Sequence, residues 1–164
     1  MQRQIVVDTN VLVSGLLTHD PLSPVASIVD GMLNGRLRFL LSSRLLAEYR
    51  DVLLRPRVQR RHGLTVAEID ELLTEIVVMA AWRDPVADAS RPGGEPAAPD
   101  PGDDHLWDLL RLADDAILVT GDALLVERPP AFASVMTPRA FAALRHMEKV
   151  RGEKQGQQVL WRLW

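Results

Sequence analysis

The sequence predicts an α/β fold in which helices cover both faces of a parallel sheet. Short apolar runs alternate along the chain with longer amphipathic segments, which is the pattern of strands alternating with helices. The runs are apolar throughout rather than at every second residue, as expected of strands buried on both faces. The chain has 164 residues, 47% of them apolar and 25% charged, which is sufficient for one globular domain.

Composition excludes several classes of protein. The chain contains no cysteine, so disulfides and thiolate metal sites are excluded and a reducing compartment fits. No apolar run approaches the roughly 18 residues of a membrane span. Asp8 follows the first apolar run too early for that run to be a signal peptide. We therefore expect a cytoplasmic protein that makes no membrane contact.

The first half of the chain predicts two strands, at residues 5–7 and 39–41, because each is a short apolar run. A helix is predicted over residues 11–17. Ser23 followed by Pro24 predicts the start of a second helix. Two further helices are predicted, one with inward residues from Leu45 to Leu53 and one that opens with the capping box of residues 65–68.

The second half begins with a Pro/Gly-rich loop at residues 84–102. It continues with a helix, a strand, a short helical turn, a last strand and a long helix. The helices and strands are predicted at residues 103–113, 116–120, 133–136 and 138–151. We therefore predict one domain over residues 1–151 and a tail over residues 152–164.

Acidic residues occur at the ends of predicted strands and on the inward sides of predicted helices. Asp8 and Asp122 follow two predicted strands, so both lie at the carboxyl edge of the sheet, where α/β proteins place their sites. Glu48 and Asp103 lie on the inward sides of their helices. Each acid also has an ordinary structural interpretation: Asp8 and Asp103 as helix caps, Asp122 as a turn or cap residue, and Glu48 as the partner of a buried arginine.

The convergence of these four acids favours a site over four separate structural roles. Carboxylates that share one sheet edge repel one another, and divalent cations neutralise that repulsion. Ligand sets made only of oxygen favour hard ions, so Mg²⁺ or Mn²⁺ is predicted.

The charge of the chain is divided unevenly. Residues 36–61 carry eight arginines and two acids, whereas residues 84–127 carry eleven acids and two arginines. The first of these segments is a candidate RNA-binding surface, and a solvated face with salt bridges is the alternative. Its candidate residues are Arg50, Arg55, Arg57, Arg60 and Arg61.

Four motifs in order carry a family resemblance, between Gln4 and about Phe141. They are the segments at residues 7–16 (VDTNVLVSGL), 45–49 (LLAEY), 100–104 (DPGDD) and 119–122 (VTGD). Together they resemble the acidic motifs of PIN-domain ribonucleases, and in particular the branch that forms the toxin component of toxin–antitoxin systems.

The resemblance implies a three-layer α/β/α PIN fold with a central parallel sheet of four or five strands. It implies an endoribonuclease that depends on Mg²⁺ or Mn²⁺. The implied catalytic acids are Asp8, Glu48, Asp103 and Asp122. The implied metal ligands are Asp8, Asp103 and Asp122, and the implied supporting residues are Thr9, Asn10, Ser14 and Thr120. Asp104 is a competitor for the place of Asp103.

Alternatives and partners remain open at this point. A catalytically silent PIN-like module that binds RNA or protein shares all of these motifs. A phosphoacceptor receiver domain would have an acidic pair after its first strand, where this chain has Asp8 alone. The implied partners are RNA, an antitoxin and a second copy of the chain. Trp161 and Trp164 in the tail are either docked on the domain itself or part of such a partner surface.

Overall fold

A computed structural model of the protein describes residues 3–86 and 97–160, with side chains described as far as Gly152. The strands within these residues are short and all pair in parallel. They are β1 (Ile5–Val7), β2 (Leu40–Leu41), β3 (Ala81–Trp82), β4 (Ile117–Val119) and β5 (Ser134–Met136).

The central sheet is three-stranded in the order β1-β4-β5, and β2 pairs with β3 beside it. A parallel bridge between Ile5 and Phe39 joins the two groups of strands. The four or five strands predicted for one sheet are therefore divided three and two, because only this single bridge crosses between β1 and β2. Both β1 and β4 are fully buried, as their apolar sequences predict.

Eight α-helices flank the strands within the described residues. They are α1 (Thr9–Leu17), α2 (Pro24–Leu33), α3 (Ser43–Leu53), α4 (Pro56–His62), α5 (Val66–Met79), α6 (Asp104–Leu110), α7 (Ala123–Glu127) and α8 (Pro138–Leu160). A short 3₁₀ helix, Pro101–Asp103, precedes α6. The predicted capping signals are used: Ser23 accepts a hydrogen bond from the Ala26 N–H, and Thr65 and Glu68 form the capping box of α5. The α/β fold class is confirmed.

Three elements differ from the prediction. Helix α4 contains no buried residue, so it has no apolar stripe that a sequence pattern could detect. Strand β3 is two residues long and only partly buried. Helix α8 runs on to Leu160, past the helix end predicted at about residue 151. Residues 87–96 of the predicted loop, and Trp161 and Trp164 of the tail, lie outside the described residues. No described helix has the length and apolar character to cross a membrane.

Helix α1 follows β1 directly and packs closely on α2. The close approach depends on Gly15, because a Cβ there would lie 2.7 Å from the Val25 carbonyl oxygen and would also collide with the Val29 side chain. This glycine therefore sets the position of the helix that carries Thr9 and Asn10.

We expect the change Gly15→Ala to lower the free energy of unfolding by about 1–3 kcal/mol, because the new methyl group meets backbone atoms that cannot move aside. Urea denaturation measures this loss. Gly152→Ala is the matched control, since nothing lies within 4 Å of a Cβ at that helical position. A helical alanine there should leave stability unchanged or raise it by up to about 1 kcal/mol.

Candidate active site

Asp8 lies at the carboxyl end of β1 and is 6% exposed. It is the N-cap residue of α1, yet its side chain makes no capping hydrogen bond. Instead, its Oδ2 atom accepts hydrogen bonds from Asn10 Nδ2 at 2.8 Å and from Thr120 Oγ1 at 2.7 Å. Two neighbouring side chains therefore hold the Oδ2 atom of this carboxylate.

The same polar contacts connect the carboxyl ends of β1 and β4. The Thr120 hydroxyl also accepts a hydrogen bond from the Asp122 N–H at 2.9 Å. Asn10 Oδ1 accepts one from the Gly121 N–H at 2.9 Å. A Cβ on residue 121 would lie 3.3 Å from Asn10 Oδ1, so glycine allows this close approach. The network fixes Asp8 relative to the loop that carries Asp122.

Glu48 reaches the site from α3. The next residue, Tyr49, is fully buried and its hydroxyl donates a hydrogen bond to the Val7 carbonyl, which anchors α3 on β1. Glu48 Oε1 accepts a hydrogen bond from Thr9 Oγ1 at 2.8 Å, and Oε2 lies 2.7 Å from His105 Nε2. Both carboxylate oxygens are therefore engaged, and the partner of Glu48 is a histidine rather than the buried arginine considered above.

The surroundings of these two acids shift their pKa values in opposite directions. The hydrogen bond from His105, helped by the one from Thr9, lowers the pKa of Glu48 in spite of its partial burial. Burial raises the pKa of Asp8, and the nearby charge of Glu48 adds to that increase, while the hydrogen bond from Thr120 opposes it. Glu48 is thus held ionised beside Asp8, whose charge is disfavoured.

Asp103 ends the 3₁₀ helix and caps α6 without a side-chain capping hydrogen bond. Burial, followed in order of importance by the charges of Asp8, Asp100, Asp122 and Glu48, raises its pKa from 3.8 to about 6. The charges of all three other predicted acids therefore act on the pKa of Asp103.

Its neighbour Asp104 instead accepts a hydrogen bond from the Ala98 N–H at 2.8 Å.

Asp122 combines two roles. Its Oδ1 atom accepts a hydrogen bond from the Leu124 N–H at 2.8 Å, so it caps α7 as the ordinary interpretation of a Gly-Asp pair predicts. Its charge nevertheless acts on Asp103. The residue is exposed, which leaves the carboxylate accessible from solvent.

Some predicted site residues lie apart from these contacts. Ser14 is exposed in α1, and its side chain makes no hydrogen bond with any described residue. Arg50 forms a two-point ion pair with Asp70, at 2.8 and 3.2 Å, so the salt-bridged interpretation holds for this arginine. Helix α4, which carries Arg57, packs against α1 and α3. Of the five arginines predicted to bind RNA, the four that are exposed and form no ion pair with a described residue are Arg55, Arg57, Arg60 and Arg61.

The sequence did not identify three titratable residues near the site. His105 follows Asp103 by two positions, and only this closeness in sequence to a predicted acid could have indicated it. The negative charge of Asp100 also raises the pKa of Asp103. Its contribution is the third largest, after those of burial and of the Asp8 charge. Arg44, one turn before Glu48 in α3, makes a small contribution to lowering the pKa of Glu48, after those of His105 and Thr9.

The donor set fits a hard divalent cation. Asp8, Glu48, Asp103 and Asp122 offer only oxygen atoms, and a cation would relieve the repulsion that raises the pKa of Asp103. Among residues 3–86 and 97–152, however, no three Asp, Glu or His side chains surround one point closely enough to form a preassembled metal site. The charges of the acids act on one another, but the side chains do not already form a coordination shell.

Comparisons with known proteins agree with this fold. Residues 4–124 match the family model described as PIN domain. The RRP44 PIN domain of T. brucei is similar in structure, with a TM-score of 0.50 and 14% sequence identity over 94% of this chain and 87% of that one. No curated protein matches the chain. The family match covers all four acids of the site and most of the chain, and this protein therefore belongs to the PIN domain family.

Proposed function

We propose that this protein is a metal-dependent endoribonuclease that hydrolyses RNA phosphodiester bonds. Domains of its family are generally nucleases. The observation that carries the proposal is the set of charges around Asp103, whose pKa of about 6 reflects burial and four neighbouring carboxylates. Acids with strongly perturbed pKa values that lie together at the carboxyl edge of a parallel sheet are typical of a catalytic site.

Each residue then has a specific task. Asp8, Asp103 and Asp122 would hold Mg²⁺ or Mn²⁺, which when bound would supply positive charge at the phosphodiester and make water a better nucleophile. Glu48, ionised and held at both oxygens, orients the attacking water. Asn10 and Thr120 fix the buried oxygen of Asp8 through their hydrogen bonds.

We also propose that the chain is the toxin of a toxin–antitoxin pair, acts in the cytoplasm and forms a homodimer. This part rests on the resemblance of its four motifs to that branch of the family. Inducible expression of the wild-type chain should arrest growth, and co-expression of a small DNA-binding protein from the adjacent reading frame should relieve the arrest. Analytical ultracentrifugation of the full chain tests the dimer.

The ribonuclease activity is tested with purified protein and fluorescent single-stranded RNA. Cleavage should require Mg²⁺ or Mn²⁺ and stop when EDTA is added, because the acids alone cannot neutralise the phosphate. A single-stranded DNA of the same sequence shows whether the sugar matters. Cleavage at the same rate in EDTA would contradict the role of the metal.

One observation favours a second function, a silent PIN-like module that binds RNA or protein. The described acids do not form a preassembled metal site. Calorimetry, which measures binding of RNA and Mn²⁺, separates the two functions when it is combined with the cleavage assay. The silent module would bind RNA, with or without Mn²⁺, and leave it uncut. The nuclease would bind Mn²⁺ and cleave the RNA.

The exposed arginines of α4 predict strong salt dependence of RNA binding. Arg57 and Arg61 lie one turn apart on the same side of α4. If both contact phosphates, the double change Arg57→Ala/Arg61→Ala should reduce the slope of log affinity against log salt by about 1.4, since each contact to single-stranded nucleic acid contributes roughly 0.7.

Fluorescence anisotropy in EDTA measures this slope without cleavage. The double change Arg3→Ala/Arg36→Ala is the matched control, because these exposed residues precede β1 and β2, at the amino edge of the strands. An equal reduction of the slope in both double variants would show that binding is not localised to α4.

A further inference from the structure

His105 connects two of the elements that carry acids. It lies in α6, two residues after Asp103, and it faces Glu48 of α3 across the contact between these helices. Its side chain is 7% exposed, and its Nε2 atom is 2.7 Å from Glu48 Oε2. Because a carboxylate oxygen only accepts hydrogen bonds, Nε2 carries the hydrogen and donates it.

Glu48 is thereby held from two sides. Thr9, buried at the start of α1, donates to Oε1 at 2.8 Å, while His105 donates to Oε2. The Glu48 side chain is 36% exposed, so without one of these donors it has room to rotate toward solvent. A glutamate with several rotatable bonds keeps one orientation only where its neighbours impose it.

The surrounding charges increase the need for such a contact. Asp8 and Asp103 both experience the negative charge of Glu48, so repulsion drives this carboxylate away from them. His105 Nδ1 is buried and has no partner among the described residues, so the imidazole makes its polar contact through Nε2. The side chain is therefore oriented toward Glu48 rather than toward another described group.

We propose that His105 is a positioning residue that holds the Glu48 carboxylate beside Asp8 and Asp103. The inference rests on the proposed nuclease function, in which Glu48 orients the attacking water. His105 is not itself a catalytic residue, because its contact is with Glu48. It fixes the orientation of Glu48 and keeps α3 at a constant distance from the helix that follows Asp103.

Cleavage kinetics of two variants test this role. His105→Leu removes the donor and should lower kcat roughly 10–100-fold, the usual effect of removing a group that orients a functional side chain, with little change in KM. His105→Gln keeps an N–H donor near the position of Nε2 and should restore kcat to within about threefold of wild type. His146→Leu, at an exposed histidine of α8, is the matched control and should cleave at the wild-type rate.

A double-mutant cycle with Glu48→Gln separates positioning from a general effect on the fold. If His105 acts through Glu48, adding His105→Leu to Glu48→Gln should lower kcat by less than about twofold. Losses that multiply, or a His105→Gln variant as slow as His105→Leu, would overturn the proposal.

A measurement that does not depend on cleavage keeps the test decisive if His105→Leu fails to fold. In the metal-free protein, the imidazole ¹⁵N spectrum should show a proton on Nε2 of His105, and Glu48→Gln should shift that resonance. No response to Glu48→Gln overturns the positioning role. A wild-type protein that shows this contact and cleaves no RNA instead disproves the nuclease function alone.

Discussion

Replacing Asp8 by asparagine should lower the rate of RNA cleavage at least about 100-fold, more than removal of a supporting residue usually does. Asparagine keeps the size of the side chain and an oxygen that can accept the hydrogen bonds of Asn10 and Thr120. It removes the negative charge and replaces the other carboxylate oxygen by an NH₂ group. The expected loss therefore measures the contribution of that charge to metal binding and not the loss of the local structure.

The stability of this variant is the internal control. Burial raises the pKa of Asp8, so its charged form is disfavoured in the folded protein, and Asp8→Asn should unfold at the same temperature or a higher one at neutral pH. Asp30→Asn, at an exposed acid of α2, is the matched variant and should cleave at the wild-type rate. Asp8→Asn activity equal to that of the wild type would contradict the proposed mechanism.

The sequence was most informative where one local signal sufficed. An apolar run followed by an acid predicted both β1 with Asp8 and β4 with Asp122, because parallel strands place their carboxyl ends at one edge. Capping signals predicted the starts of α2 and α5 for the same local reason. These elements depend on neighbouring residues, which a single sequence displays.

Long-range contacts were harder to predict. His105 and Glu48 lie far apart along the chain, and neither residue has a neighbour that predicts their contact. Whether Asp103 or Asp104 contributes its carboxylate to the site depends on the residue at which the 3₁₀ helix ends and α6 begins. Helix α4 presents no buried side to detect.

The electrostatics of Asp103 predict that Asp103→Asn has opposite effects on the stability of the metal-free protein and on its stabilisation by metal. In the unfolded chain this carboxyl loses its proton near the usual pKa of 3.8, and in the folded protein near 6. Its contribution to folding is therefore fully present below pH 3.8 and is lost as the pH rises through 6. Above that range the ionised side chain destabilises the metal-free protein.

Asp103→Asn removes this penalty because asparagine carries no charge at any of these pH values. One pKa unit corresponds to about 1.4 kcal/mol, but solvent screening around this partly exposed site reduces the effect to about 1 kcal/mol in total. For a domain of this size that is a rise of about 2–4 °C in Tm. Differential scanning calorimetry in EDTA should show the rise at pH 7.5 and a much smaller one at pH 4.

Addition of metal should favour the wild type over Asp103→Asn in this comparison of Tm. Mn²⁺ that binds only the folded state stabilises it in proportion to its affinity, so millimolar Mn²⁺ should raise the Tm of the wild type more than that of Asp103→Asn. The control Glu75→Gln, at an exposed acid of α5, should respond to Mn²⁺ as the wild type does. A wild-type Tm that Mn²⁺ leaves unchanged would show that the repulsion around Asp103 is not relieved by a cation. A higher Tm of Asp103→Asn in EDTA, together with a weaker response to Mn²⁺, would mean that the fold tolerates this repulsion because the metal removes it.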